Sequence, residues 1–135
     1  MTKKFKILGK YIKDLSSETP DIETYIFVKE RIGKYQLDID IKSRVVKNKM
    51  IEVDTKFKFE DKEESKKKSY FEIIHSTIIK VDDDVVNKKE LEKIILCDVQ
   101  IEIYPKLEKS LLNLLHNSGY TDIKFEKKVD FESLY

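Results

Sequence analysis

Alanine and tryptophan are absent from this 135-residue chain, and glycine (3), proline (2) and cysteine (1) are scarce. A lone thiol, Cys97, excludes an internal disulfide and any metal site built on clustered thiolates. So little glycine and proline leaves no flexible linker and no domain boundary, so the expectation is a single domain over residues 1–135. Gly9, Gly33 and Gly119 are too dispersed to form a phosphate-cradling loop. Arginine is confined to Arg31 and Arg44. The guanidinium is the preferred group for bidentate phosphate recognition, so its scarcity weighs against nucleic acid as a partner. The balance of 27 basic against 26 acidic residues, net +1, weighs the same way. No apolar run approaches the roughly 20 residues of a membrane span. The amino-terminal MTKKFKILGKY lacks the uninterrupted apolar stretch of a secretory signal. The expectation is a soluble, reduced, cytoplasmic protein.

What is present is alternation. Tyr35, Leu37, Ile39 and Ile41 interleave with Gln36, Asp38, Asp40 and Lys42. Ile51, Val53, Thr55, Phe57 and Phe59 interleave with Glu52, Asp54, Lys56, Lys58 and Glu60. Period two of this length predicts two strands, each buried on one side. Lys47, Asn48 and Lys49 lie between them, with Asn48 suited to the positive φ of a tight hairpin. Two further segments are apolar on both sides. In Phe5 to Leu15, Phe5, Ile7 and Tyr11 share a face while Leu8, Ile12 and Leu15 straddle the pattern. In Tyr70 to Ile79, Phe71, Ile73, His75, Thr77 and Ile79 share one face and Tyr70, Ile74 and Ile78 the other. Strands apolar on both faces must be covered on both, which points to a subunit interface at the first and fourth strands, a long covering loop being the alternative. Lys62 to Lys68 reads as a solvated loop. Asp82, Asp83 and Asp84 lack the ligand spacing of a calcium loop and read as a turn.

The last third is helical. Asn87 caps a helix whose third residue is Glu90, and Leu91, Ile94 and Ile95 mark its face. Ile103, Leu107, Leu111, Leu114 and Leu115 form a second stripe, with Pro105 placed in the first turn of that helix and Gly119 as its left-handed cap. Phe125, Val129, Phe131, Leu134 and Tyr135 make an apolar tail that should dock. No catalytic constellation emerges: His75 lies mid-strand, His116 ends a helix, and Cys97 has no positive neighbour to activate it. The chain reads as a binding protein, not an enzyme.

The segment Tyr11-Ile12-Lys13-Asp14-Leu15-Ser16-Ser17-Glu18-Thr19-Pro20 resembles the opening signature of the SecB export chaperones, a strand of the form Y-x-KD-x-S-x-E-x-P. Leu37-Asp38-Ile39-Asp40 is similar to the family's L-D-L-D-like strand, Tyr70-Phe71-Glu72-Ile73 to its fourth strand, and Val129-Asp130-Phe131-Glu132-Ser133-Leu134-Tyr135 to its closing tail. The helical region departs: Cys97 and Pro105 are kept, but the Cys-Pro pair is gone and the spacing is longer. A tryptophan common after strand one is missing, with Ile32 near its place. The resemblance implies an α+β fold, a four-stranded antiparallel sheet packed on C-terminal helices and assembled as a homotetramer, a dimer of dimers. It implies a cytosolic chaperone that uses no ATP or cofactor. Such a chaperone holds unfolded precursor proteins and delivers them to the SecA motor.

On that resemblance Asp14, Glu18 and Glu72 fall on positions that dock SecA, the alternative being that Asp14 and Glu18 are ordinary turn carboxylates. Phe71, Ile73 and His75 fall on positions used for subunit contacts, the alternative being plain core. Asp21 to Gly33 reads as an apolar loop carrying Ile22, Tyr25, Ile26, Phe27, Val28 and Ile32, with Tyr25, Phe27 and Ile32 as client contacts. Two other functions remain: a SecB-like chaperone dedicated to one client such as an antitoxin, and a nucleic-acid-binding sheet using Lys3, Lys4, Lys6, Lys10 and Lys13 around Phe5 and Tyr11.

Overall fold

A computed structural model describes residues 3–63, 67–121, 123, 125 and 129–134. The alternating segments form β1 (Phe5–Glu18), β2 (Gln36–Lys47), β3 (Met50–Glu60) and β4 (Tyr70–Val81). They make one antiparallel sheet in the order β1-β4-β3-β2. β1 is therefore an edge strand and β4 an interior one. Register places Ile39, Phe57 and Ile73 in one row, and Leu37, Phe59 and Phe71 in the next, all on the face that the helices cover. At the β2–β3 hairpin it is Lys49, not Asn48, that takes the left-handed conformation, with φ 57°.

β1 straddles its faces because it is bulged twice. Its register against β4 slips between Ile7 and Gly9 and again between Ile12 and Asp14. Each extra residue reverses which parity of side chains points at the helices. Phe5 and Ile7 pair with Val81 and Ile79 on the helix side, Lys10 and Ile12 follow with Thr77 and His75, and Leu15 returns opposite Ile73. Tyr11 is thereby placed opposite Ser76 on the outer face, away from Phe5 and Ile7.

The segment expected as an apolar loop is instead helix α1 (Ile22–Arg31), followed by a 3-10 turn over Ile32–Lys34. Asp21 caps it, accepting from the Thr24 backbone N–H at 2.8 Å. Thr24, Val28 and Ile32, four residues apart, are the buried stripe. At its far end Arg31 donates to both oxygens of Asp61, at 2.8 and 3.0 Å. The bidentate pair, with Asp61 almost fully buried, ties the crossover between β1 and β2 to the end of β3.

The C-terminal helix is one run in three parts: α2 (Lys88–Lys93), a π turn (Ile94–Asp98) and α3 (Val99–Asn117). Asn87 caps α2, accepting from the Lys89 N–H at 2.7 Å. The π turn takes up extra residues without ending the helix. Gln100 is fully buried just beyond it. Its amide nitrogen donates to the Ile95 carbonyl at 3.1 Å, and its carbonyl oxygen accepts from Thr55 Oγ1 of β3 at 2.9 Å. Pro105 lies inside α3 and not in its first turn. It removes the bond to the Ile101 carbonyl, and both residues are on the exposed side, where the loss is cheapest. Ile103, Leu107, Leu111 and Leu115 bury against the sheet as the stripe requires.

Gly119 ends α3 with φ 101°. Gly119 N–H donates to His116 O at 3.1 Å and Tyr120 N–H to Leu115 O at 2.9 Å, the two bonds of a Schellman cap. A short helix α4 (Phe131–Leu134) closes the chain. Phe131 docks against Tyr104, ring centres 5.5 Å apart. Tyr135 lies outside the described residues.

Candidate functional site

The sheet face turned away from the helices can be read row by row from the register. Glu18, Tyr70 and Glu60 head it; Ser16, Glu72, Lys58 and Asp38 follow; then Asp14, Ile74, Lys56 and Asp40. The three expected docking carboxylates, Asp14, Glu18 and Glu72, are thus brought onto one face of two adjacent strands. A concavity of about 550 Å³ opens there, lined by Ser16, Glu18, Lys58, Glu60, Tyr70 and Glu72 among others. Tyr70 is half-exposed in the middle of it.

These acids differ in how they are held. Glu72 forms an ion pair with Lys56 at 3.3 Å. Glu60 lies 3.4 Å from Lys58 and 3.1 Å from Lys62. Asp14 accepts from Ser16 Oγ at 2.9 Å. Neither Asp14 nor Glu18 is within ion-pair distance of a cation among the described residues.

The other end of the same face is organised around a residue that sequence reasoning passed over. Glu52 is only 7% exposed although it sits on the outer face. It accepts from Arg44 Nε at 2.7 Å, Tyr11 OH at 3.3 Å, and Lys13 Nζ and Ser76 Oγ at 3.5 Å each. Lys13 also reaches Asp54 at 2.9 Å. The Arg44 guanidinium, with Lys13 beside it, holds the Glu52 carboxyl below the usual carboxylate range. The only sequence signal was an acid placed among strand residues with two basic ones within cross-strand reach.

The same pairings break up the lysine stripe of β1. Lys3 pairs with Glu102, Lys4 with Asp84, and Lys13 with Glu52 and Asp54. Lys6 and Lys10 project from opposite faces, beside Lys80 and Thr77. Among the described residues of β1 no continuous row of unpaired basic groups is left to track a phosphate backbone.

The client residues need correction. Ile32 is buried, in the core under the sheet. Tyr25 is half-buried; its hydroxyl donates to the Gly119 carbonyl at 2.9 Å and its ring lies 5.4 Å from that of Tyr120. Phe27 stays exposed, with the Arg31 guanidinium 5.9 Å from its ring centre. What α1 presents to solvent is Ile22 and Ile26, 67% and 56% exposed, next to Phe27. The helix, absent from the sequence reading, made this selection.

Phe71, Ile73 and His75 are likewise corrected. All three lie under the helices and are 1%, 0% and 2% exposed in the single chain. Phe71 meets Tyr120 edge-on at 5.5 Å. His75 has Nδ1 3.4 Å from Thr77 Oγ1, and its Nε2 has no hydrogen-bond partner among the described residues. Their side chains are core. The half-exposed apolar groups left near a prospective partner belong to β1: Leu8, Tyr11, Ile12 and Leu15.

The family model for preprotein translocase subunit SecB matches residues 1–135. The chain belongs to the SecB family. A putative protein-export protein SecB of Pelagibacter ubique (strain HTCC1062) is 59% identical over 135 residues, covering 100% of this chain and 96% of that one. Among solved structures, a SecB-like chaperone of Mycobacterium tuberculosis, in complex with a peptide from an antitoxin, matches with a TM-score of 0.65. Its identity is 11%, over 93% of this chain and 91% of that one. A Streptococcus agalactiae protein of unknown function matches with a TM-score of 0.51 at 7% identity, over 84% and 89% of the two chains. The two structures share the fold. Family membership assigns the chain to protein export as a chaperone. The SecB-like opening signature lies along β1 itself, which places Asp14, Ser16 and Glu18 on the outer face and Leu15 on the helix side.

Proposed function

We propose that this member of the SecB family holds unfolded precursor proteins in the cytoplasm, without nucleotide hydrolysis or any other chemical step, and hands them to the SecA motor. The carrying observation is apolar surface left outside a complete core. Ile22, Ile26 and Phe27 on α1 form a patch open to solvent while 25 hydrophobic residues among those described are buried. Such a patch has no internal use and suits extended apolar segments of many sequences. The motor's dock is the acidic corner of the sheet, where Asp14 and Glu18, with no cation among the described residues, can steer a basic partner.

Assembly follows from the edge. β1 offers free backbone groups and four half-exposed apolar side chains. Its first part carries Lys6, Lys10 and Lys13 and its last part Asp14 and Glu18. Two copies pairing antiparallel along β1 bring the Lys6 end of one toward the Glu18 end of the other, both charges on the outer face. Parallel pairing would set like against like. A pair formed in this way is the unit from which a homotetramer is built.

A slow-folding precursor should be kept from aggregating without ATP, and I26D/F27D should abolish that protection while the melting temperature is kept. In the same preparation D14N/E18Q should weaken SecA binding about tenfold at low salt, each charge contributing on the order of 0.5–1 kcal/mol. A protein that leaves aggregation unaffected, or a D14N/E18Q variant with undiminished affinity, would refute the respective half of the reading.

A further inference from the structure

The acidic corner is only half open. Among the described residues Asp14 and Glu18 stand without a cation, but Glu72, between them in the neighbouring strand, is held by Lys56 at 3.3 Å. Both groups are partly exposed, with side-chain accessibility of 40% and 29%, so the contact is one that a competitor can reach. Lys56 lies diagonally across from Glu72, because its direct partner in β4 is Ile74. On its other side, in β2, its direct partner is Asp40. Side chains directly opposite in an antiparallel pair have Cβ atoms about 5 Å apart, well within the reach of a lysine. Lys56 therefore stands between two carboxylates and is engaged with only one of them.

We infer that Lys56 is the residue that sets the strength of partner docking at this corner. It occupies Glu72 in the free chaperone and passes to Asp40 when a basic group of the partner takes Glu72. The inference rests on the docking reading given above. Its physical content is an exchange of ion pairs. The partner's cation gains Glu72, Lys56 loses it, and Asp40 keeps Lys56 from being left as an unneutralised charge beside the incoming one. Docking is thereby weaker than three free carboxylates would make it, and release of the motor is correspondingly easier. Lys58 does not share the role, because it pairs with Glu60 in its own strand.

The test is a set of SecA titrations at low salt with the full-length chaperone, using K56Q, E72Q, D40N and the double variants K56Q/E72Q and K56Q/D40N. All the side chains are at the surface, and melting curves check that the fold is retained. K56Q should tighten binding by roughly twofold to fivefold, the worth of an exposed ion pair. That gain should vanish in the E72Q background and fade at high salt. D40N should weaken binding in the presence of Lys56 and have less effect in its absence. Three results would overturn the inference while D14N/E18Q still weakens binding: K56Q binding no better than the parent, an equal K56Q gain with and without Glu72, or a D40N effect indifferent to Lys56. If D14N/E18Q leaves affinity unchanged, the dock itself is misplaced and the inference falls with it.

Discussion

His75 illustrates what a single side chain does once its surroundings are fixed. Its ring is buried opposite Ile12 of β1, with Lys10 and Lys106 as its charged neighbours. Burial, and then the two lysines, push its pKa below the ordinary 6.5. The folded state therefore favours the neutral ring, while the unfolded chain protonates with its usual pKa. The stabilisation is complete above pH 6.5 and is lost as the pH falls from there through the folded-state value. Thermal melts between pH 8 and pH 5 should show a fall in stability on the acid side that H75Q flattens. A variant with the same pH slope as the parent would show that other groups cause it. That a histidine occupies a strand face shared with Phe71 and Ile73 was legible in the sequence. That its buried Nε2 has no partner among the described residues was not, because this depends on what β3, β1 and α3 bring to it.

At the scale of elements, Gln100 joins a helix irregularity to the sheet. Two buried groups, the Thr55 hydroxyl and the Ile95 carbonyl, depend on its one amide. Q100M keeps the volume and removes both bonds, and should cost about 2–3 kcal/mol in urea denaturation by leaving these groups unsatisfied. If the loss is below about 0.5 kcal/mol, well under a single buried bond, this account of the π turn is wrong. The strands, the Asn87 cap, the α3 leucine stripe and the Gly119 cap could all be read from local pattern. The period of a strand or helix and the chemistry of a cap are properties of neighbouring residues. α1 was missed because its buried stripe, Thr24, Val28 and Ile32, is thin and its exposed side is apolar, so its helical period was masked. Pro105 was misplaced because the π turn carries the helix through from α2, where local rules would have it start anew.

For the whole molecule, the unsatisfied edge of β1 carries the next prediction. Ile12 and Leu15 are half-exposed on the helix side of an open strand. A charge there should oppose association without opening the core. I12K/L15D should therefore lower the particle mass in light scattering while the melting transition of the single chain persists. An unchanged mass would place the subunit contact elsewhere, and loss of the fold would show that β1 depends on these side chains internally. The exposed α1 patch and the acidic corner of the sheet lie on different elements, so the client loading and motor docking proposed above fall on separate surfaces.

By itself, the sequence determined the strands of the sheet, the helical final third, the caps and the family signature on β1. Each of these follows from residues close together in the chain. Tertiary structure decided which apolar residues are core and which remain for a partner. It moved Ile32, Phe71, Ile73 and His75 inward and left Ile22, Ile26 and the β1 side chains outside. It also decided which charges are spent and which, among the described residues, are free: Glu72 with Lys56, Glu52 with Arg44, and Asp14 and Glu18 with no cation. The reason is that burial and ion pairing depend on register across strands; the two bulges of β1 shift that register, and the broken alternation they leave in the sequence does not say which side chains face which way.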